Sequence, residues 1–270
     1  IEKIIVPFYL DDDIGAVGGN ILVRNYKDSL CTTLQAIEYS DTISVGRITS
    51  SYLGIYRLVS GAFGAFTREA LDRVGGWDIG PGLDGDITVK LRKLGYRIVF
   101  EPDAICQTNV PNTFKKLVKQ RLRWDKSIVR FRVRKHRDVF YPNATFRFSN
   151  FISSLENITY NILLNIKWWL YMIDMIVNYT SLLGFIFPFN ILLYTTNNFL
   201  KFLVFSLFRK RKNSSISYFI PYLPCMVFYF GFYLRFVRSV AYVQEFFFKK
   251  SYEDSWNPSK SSSHAKKLGI

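Results

Sequence analysis

The sequence predicts an α/β domain followed by interfacial and transmembrane helices, and three observations carry that fold class. Strand-like and helix-like runs alternate through the first half of the chain. From about Phe148 the sequence turns strongly apolar and aromatic. Finally, a net charge of +15 accompanies 49% hydrophobic and 17% aromatic residues. Nucleic-acid binders share such a charge but seldom the long apolar runs, so a basic module joined to membrane helices fits both facts.

In chain order, IGAVGGNILV (Ile14–Val23) reads as a strand interrupted by Gly18 and Gly19. Leu30–Ile48 has helical spacing, with Leu34, Ile37 and Ile43 among its apolar positions. SGAFGAF (Ser60–Phe66) is a short, apolar, glycine-punctuated run, and TREALDRVGG after it is a short helix closed by glycine. The next helix is GLDGDITVKLRKLG: Ile87, Leu91 and Leu94 share a face, and Gly95 supplies the stop. Tyr96–Pro102 is the strand that follows. Lys115–Phe131 closes the first half as a helix with Gln120, Arg123 and Trp124 on one side.

The apolar half begins as residues 1–137 give way to 138–270. Trp168–Phe208, interrupted by Gly184 and Pro188, has the length of two membrane crossings at roughly 20 residues each. Asp174 and Lys201 are costly in lipid, so they are expected near an end or against protein. Trp168 and Trp169 suit a membrane interface, and Arg209–Lys212 marks a cytoplasmic loop. The run Ile216–Leu234 contains Pro221 and Pro224 and fits a re-entrant or interfacial helix as well as a crossing.

Some chemistries find no footing. Cys31, Cys106 and Cys225 are odd in number and far apart, which gives no disulfide framework. His136 and His264 are too distant for a zinc site and read as solvated residues in basic segments. Asp11, Asp12 and Asp13 read as a solvated turn. Four formal N-x-S/T sequons, at Asn143, Asn157, Asn178 and Asn213, are no proof of secretion.

Between Lys115 and Arg137 stand eleven Lys or Arg and one acid, Asp125. Such a helix suits nucleic acid, an anionic lipid surface, or phosphate handling through the planar fork of Arg123. A single stacking aromatic, Trp124, weakens the first option, and the other two are compatible on different faces. Upstream, Asp84 reads as the cap of a helix whose first turn then holds Asp86, where the helix dipole favours an ionised carboxylate. A carboxylate, a guanidinium and an indole are the parts of a sugar-transfer site: a proton acceptor, a diphosphate clamp and a platform for a sugar ring. Arg235 and Arg238 could meet phosphate, but a solvated or headgroup-facing role suits them better.

SGAFGAFTREAL, then GWD and DGD, then a strand and VPNTFKKLVKQRLRW together resemble the membrane-integrated processive family-2 glycosyltransferases, which include hyaluronan, chitin, cellulose and poly-N-acetylglucosamine synthases. The resemblance covers essentially the whole chain. It implies the C-terminal part of a GT-A type domain, with a hexosyltransferase passing sugar from a UDP-sugar to a growing β-linked polysaccharide with inversion. Asp86 would inherit the general-base role, with Gly85 where members carry Glu or Asp. Gln120, Arg123 and Trp124 would form the Gln-x-x-Arg-Trp signature at the donor diphosphate and acceptor, and Ser60 and Gly61 the acceptor-side loop. Mg2+ or Mn2+ is implied on a motif upstream of Ile1, so no metal ligand is assigned here. The implied partners are donor, polysaccharide and membrane lipids, without nucleic acid. The implied location is the inner or plasma membrane, multi-pass, with the catalytic part cytoplasmic. A relative adding one sugar to a lipid, and a non-catalytic basic membrane scaffold, are the alternatives.

Overall fold

The computed structural model describes residues 1–77, 81–208 and 215–253. Arg209–Lys212, His264, Asn213, the basic tail beyond Glu253 and part of the GWDIGPG turn lie outside the described residues. The chain opens with α1 (Glu2–Leu10), followed by β1 (Ile14–Val23), the strand read from the sequence. Its glycines have a packing reason: a Cβ on Gly18 would overlap the Tyr56 hydroxyl, and one on Gly19 the Phe63 ring.

Helix α2 (Leu30–Tyr39) starts at Ser29, whose hydroxyl accepts the Thr32 N–H in a reciprocal capping box. It continues through a π-helical turn, Ser40–Val45, into α3 (Gly46–Tyr52). The short β2 (Gly64–Phe66) precedes α4 (Arg68–Val74), which Thr67 caps and Gly75, at φ 73°, terminates. Next comes α5 (Leu83–Lys93), bracketed by Gly82 and Gly95 at φ 94° and 95°.

Strand β3 (Arg97–Thr108) runs past Pro102, where the sequence reading ended it. Proline donates no ladder bond, but the register jumps there, from Gly19↔Glu101 to Asn20↔Ile105, and this bulge lets pairing resume. The sheet order is β2-β1-β3, with β1 antiparallel to β2 and parallel to β3.

Helix α6 (Phe114–Ser127), capped by Thr113, extends as a π-helical segment through Lys135. Then follow α7 (Phe148–Ile158), α8 (Leu164–Asn178) and α9 (Leu183–Phe208). Among the described residues no single helix is long and apolar enough to cross a membrane. Only the pair Phe148–Asn178 and Thr180–Ser206 passes together, bent by 97°. This differs from two crossings broken near Gly184 and Pro188. Pro188 lies inside α9, and the bend falls instead after Asn178, where the Thr180 hydroxyl donates to the Ile176 carbonyl in a side-chain bond that competes with the helix.

The run Ile216–Leu234 is also broken, into α10 (Ser215–Phe219), a 3-10 turn holding Pro221, and α11 (Cys225–Phe228), with Pro224 at its cap. A π-helical turn joins α11 to α12 (Leu234–Phe248). Asp174 is exposed near the end of α8, while Lys201 turns to protein and lies 3.6 Å from Asp41.

One core cluster joins the two halves of the chain: Ile21, Leu34, Ile37 and Leu117 pack with Phe202, Phe219, Leu223 and Met226. A second sits under α5, where Ile87 and Leu91 meet Ala16, Tyr56, Ile98 and Phe100.

The Gly18 contact gives a direct stability test. Gly18→Ala should destabilise by about 1–3 kcal/mol through overpacking, read as a lowered thermal midpoint. Adding Tyr56→Phe should recover only part, because the ring Cζ stays 2.9 Å from the new Cβ.

Candidate active site

Gly82 sets the position of the first turn of α5. Its left-handed φ starts the helix without a side-chain cap, and a Cβ there would collide with Ser127 at the end of α6. Glycine therefore lets α5 begin hard against the helix that carries Gln120, Arg123 and Trp124. Asp84 consequently is not the cap expected from the sequence. It lies two positions past Gly82, inside the helix, and its Oδ2 accepts the Gly61 N–H at 2.8 Å. A Cβ on Gly61 would stand 2.8 Å from Asp84 Oδ1, so only glycine fits beside this carboxylate. Thr88 secures the same loop: its hydroxyl donates to the Asp84 carbonyl at 2.6 Å and accepts the Val59 N–H at 3.1 Å. Ser60 takes part through its carbonyl, which accepts the Phe63 N–H. Burial raises the Asp84 pKa, against the opposing pull of the Gly61 N–H and Arg47.

Asp86 is in a different environment. It is 0% exposed, and its Oδ1 meets His136 Nε2 at 2.7 Å and Lys135 Nζ at 2.8 Å, while Lys90 Nζ lies 3.5 Å from Oδ2. Lys93 Nζ bonds His136 Nδ1 at 3.1 Å and Asp138 at 2.6 Å. An ammonium only donates, so Nδ1 accepts and Nε2–H donates to Asp86, which assigns a neutral imidazole. Burial lowers the His136 pKa against the opposing pull of Asp86, in keeping with that state. Burial likewise brings Lys135 down to about 8.

These contacts correct one expectation. His136 is 3% exposed and holds a carboxylate, so it is not a solvated residue in a basic segment. Asp86, enclosed and surrounded by cations, has no surface to offer an acceptor hydroxyl. Asp84, two residues earlier, is by contrast partly exposed.

Along α6, Trp124 is 39% exposed, Arg123 is partly buried, and Gln120 holds a buried Oε1 with no hydrogen-bond partner. Between them stands a residue the motif reading passed over. Arg121 is 9% exposed; its Nη2 donates to Glu38 Oε2 at 2.8 Å, and its guanidinium lies 4.5 Å from the Trp124 ring centre. Tyr229 donates to the same Glu38 oxygen at 2.7 Å. Further on, Asp125 Oδ1 accepts from Arg238 Nε at 3.4 Å, and Arg134 pairs with the fully buried Glu245 at 2.7 Å. Arg235 donates to the Leu164 carbonyl and sits 5.7 Å from the Trp168 ring. Arg235 and Arg238 are thus internal contacts, not a headgroup-facing pair. The two motifs are joined through Lys135 and His136, which continue the helix of Gln120, Arg123 and Trp124 and reach back to Asp86.

Among the described residues no group of three or more His, Cys, Asp or Glu could hold a metal ion. In Asp84-x-Asp86 one carboxylate takes a backbone N–H, and the other is enclosed with Lys90 and Lys135 beside it, an arrangement that repels a divalent cation. Asp11 is tied to Arg97 and to the Asp13 N–H.

The Asp86 cluster predicts two stability effects. Asp86→Asn removes the buried carboxylate that His136 and Lys135 bond and should cost about 1–3 kcal/mol in equilibrium unfolding. His136 has a folded pKa below its unfolded value of about 6.5, so the unfolded chain takes up a proton first as pH falls. Its contribution is therefore complete above pH ~6.5 and is lost as pH drops from there through the folded value. His136→Gln should flatten that part of the stability–pH curve.

The sequence matches the family model described as glycosyl transferase family group 2 over residues 2–234. Poly-beta-1,6-N-acetyl-D-glucosamine synthase of Staphylococcus epidermidis is 40% identical over 126 residues, 44% of this chain and 30% of that protein. The protein of the same name from Staphylococcus aureus strain COL is 36% identical over 160 residues, 56% of this chain and 38% of that protein. The alignments therefore span less than two-fifths of the length of these curated relatives. Among solved structures, a mannosyltransferase from Pyrobaculum calidifontis in complex with GDP-Man and Mn2+ is 16% identical, with 90% of this chain and 56% of that chain covered and a TM-score of 0.49. The family match runs from α1 to the first residue of α12 and includes the Asp84–Asp86 turn and the Gln120–Trp124 helix, so the chain belongs to glycosyl transferase family group 2.

Proposed function

We propose that this chain is part of a membrane-associated, inverting glycosyltransferase that extends a β-linked polysaccharide, with Asp84 rather than Asp86 as the general base. The observation that carries the reading is the environment of Asp84. It is a partly exposed carboxylate of raised pKa, beside the Ser60–Gly61 loop and at the head of a helix pressed against the Gln-x-x-Arg-Trp segment. A pKa raised toward working pH suits a proton acceptor.

In the transfer, Asp84 takes the proton of an acceptor hydroxyl as its oxygen bonds to the anomeric carbon. The bond from that carbon to the diphosphate breaks on the opposite face, which inverts the centre. Arg123 supplies the fork that meets the departing diphosphate charge, and the half-exposed indole of Trp124 carries the acceptor ring. Gln120, with its unpartnered Oε1, serves a hydroxyl or fixes the helix. Asp86 acts as a positioning residue, holding the first turn of α5 to His136 and Lys135.

The names of the staphylococcal relatives support N-acetylglucosamine as the sugar, and a UDP-sugar is the donor proposed with it. Residues 1–137 would carry the chemistry and 138–270 the lipid contact. Exposed apolar side chains along α8 and α9, among them Leu170, Ile173, Val177, Phe185 and Leu192, support that contact.

The test uses membranes carrying the full-length protein, a panel of UDP-sugars with Mg2+ or Mn2+, and measurement of UDP release and product size. UDP release with UDP-N-acetylglucosamine and a long product are expected. Asp84→Asn should lower turnover by about 10²–10⁴-fold while leaving the thermal midpoint near that of the parent. The acid limb of kcat/KM should fall above the ordinary Asp value of 3.8, since protonation removes the base. Full turnover in Asp84→Asn would remove the assignment.

A further inference from the structure

A polar cavity of about 210 Å3 lies at the opposite end of α5 from Asp84. Arg92 in the last turn of α5, Arg97 at the start of β3, and Arg147 just before α7 all line it, together with Ser51 and Ser149. Three arginines from three parts of the chain thus line one space, about 12 Å along the helix from Asp84 at 1.5 Å per residue.

Arg92 makes this more than a basic surface. It is 4% exposed, its Nη1 makes only a long 3.5 Å contact with Asn150 Oδ1, and its Nη2 is buried with no hydrogen-bond partner. No carboxylate pairs with it among the described residues. Burial and the neighbouring Arg132 charge pull its pKa down to about 9. A buried guanidinium with an unsatisfied N–H is costly, and an anion in the cavity would relieve that cost.

The surroundings are shaped to match. Arg147 passes over Gly95, where a Cβ would lie 3.1 Å from its Nη2, so glycine leaves room for the guanidinium. Ser51 Oγ accepts the Phe100 N–H at 2.8 Å, which leaves its own proton to donate. Among the described residues no acid lines the cavity, and Arg97 is tied to Asp11.

We propose that this cavity is a binding site for a phosphoryl anion, a phosphate or diphosphate group, separate from the glycosyl-transfer site. Planar guanidinium forks match the oxygens of such a group, and several can share its charge. The group could belong to a soluble phosphorylated compound or to an anionic lipid. Arg147 adjoins Phe148, which is 68% exposed and opens the apolar bent pair of helices.

The experiment measures the thermal midpoint of the full-length protein in detergent, with pyrophosphate or with sodium chloride at equal ionic strength. In parallel, flotation is measured with phosphatidylglycerol and phosphatidylcholine vesicles. The parent is compared with Arg147→Gln, and with Arg123→Gln to exclude binding at the transfer site. A saturable rise of at least about 2 °C with pyrophosphate, kept in Arg123→Gln and lost in Arg147→Gln, identifies a soluble phosphoryl ligand. Preferential flotation with phosphatidylglycerol that depends on Arg147, without a pyrophosphate shift, identifies a headgroup. If neither response depends on Arg147, the proposal is overturned, and the reading of the transfer site stands independently.

Discussion

The buried Asp86 carboxylate, shared between His136 and Lys135, is the contact on which the rest of the site depends. In a chain of net charge +15, a carboxylate at 0% exposure among Lys90, Lys135 and a neutral imidazole is a fixed point that few alternative packings satisfy. It ties the first turn of α5 to the far end of the helix carrying Gln120, Arg123 and Trp124. Once that turn is fixed, Gly82 lies against Ser127, and Asp84 meets the Gly61 N–H at the edge of the site. The two carboxylates stand two residues apart yet have different surroundings, because about half a turn of helix separates an enclosed environment from an accessible one.

The same helix is held from its other side by three buried carboxylate–guanidinium contacts: Glu38 with Arg121, Asp125 with Arg238, and Glu245 with Arg134. Buried ion pairs add little net stability, since desolvation offsets much of their attraction, but losing one partner is costly. Their effect here is to fix the rotation and depth of the motif helix against α2 and α12. Arg121 extends that constraint to the indole of Trp124 by lying over its ring. Arg121, Arg132 and Arg134 thus turn part of this segment's positive charge into the protein.

Local signals were legible in the sequence. The glycines of β1, the glycine stop after α4, and the helical period of α5 follow from short-range sterics and burial, and each of these elements stands where its residues put it. The Gln-x-x-Arg-Trp helix was legible for the same reason, and its family resemblance agrees with the match over residues 2–234. Contacts between distant residues were not legible. Asp86 and His136 are fifty positions apart, and no local pattern distinguishes a buried imidazole from a solvated one. Asp84 was misread as a cap because the left-handed start at Gly82 is a response to Ser127, which lies on another helix. The bulge that carries β3 past Pro102 and the bend after Asn178 likewise depend on context beyond the local residue types.

The most direct test of the account is an experimentally determined structure of the full-length protein with UDP and a bound acceptor oligosaccharide. The distances to read are those from the acceptor's attacking hydroxyl to the two carboxylates. The account predicts Asp84 within hydrogen-bond reach, about 2.6–3.2 Å, with Asp86 still bonded to His136 and Lys135. Asp86 freed from those partners and facing the hydroxyl, with Asp84 turned away on Gly61, would contradict it.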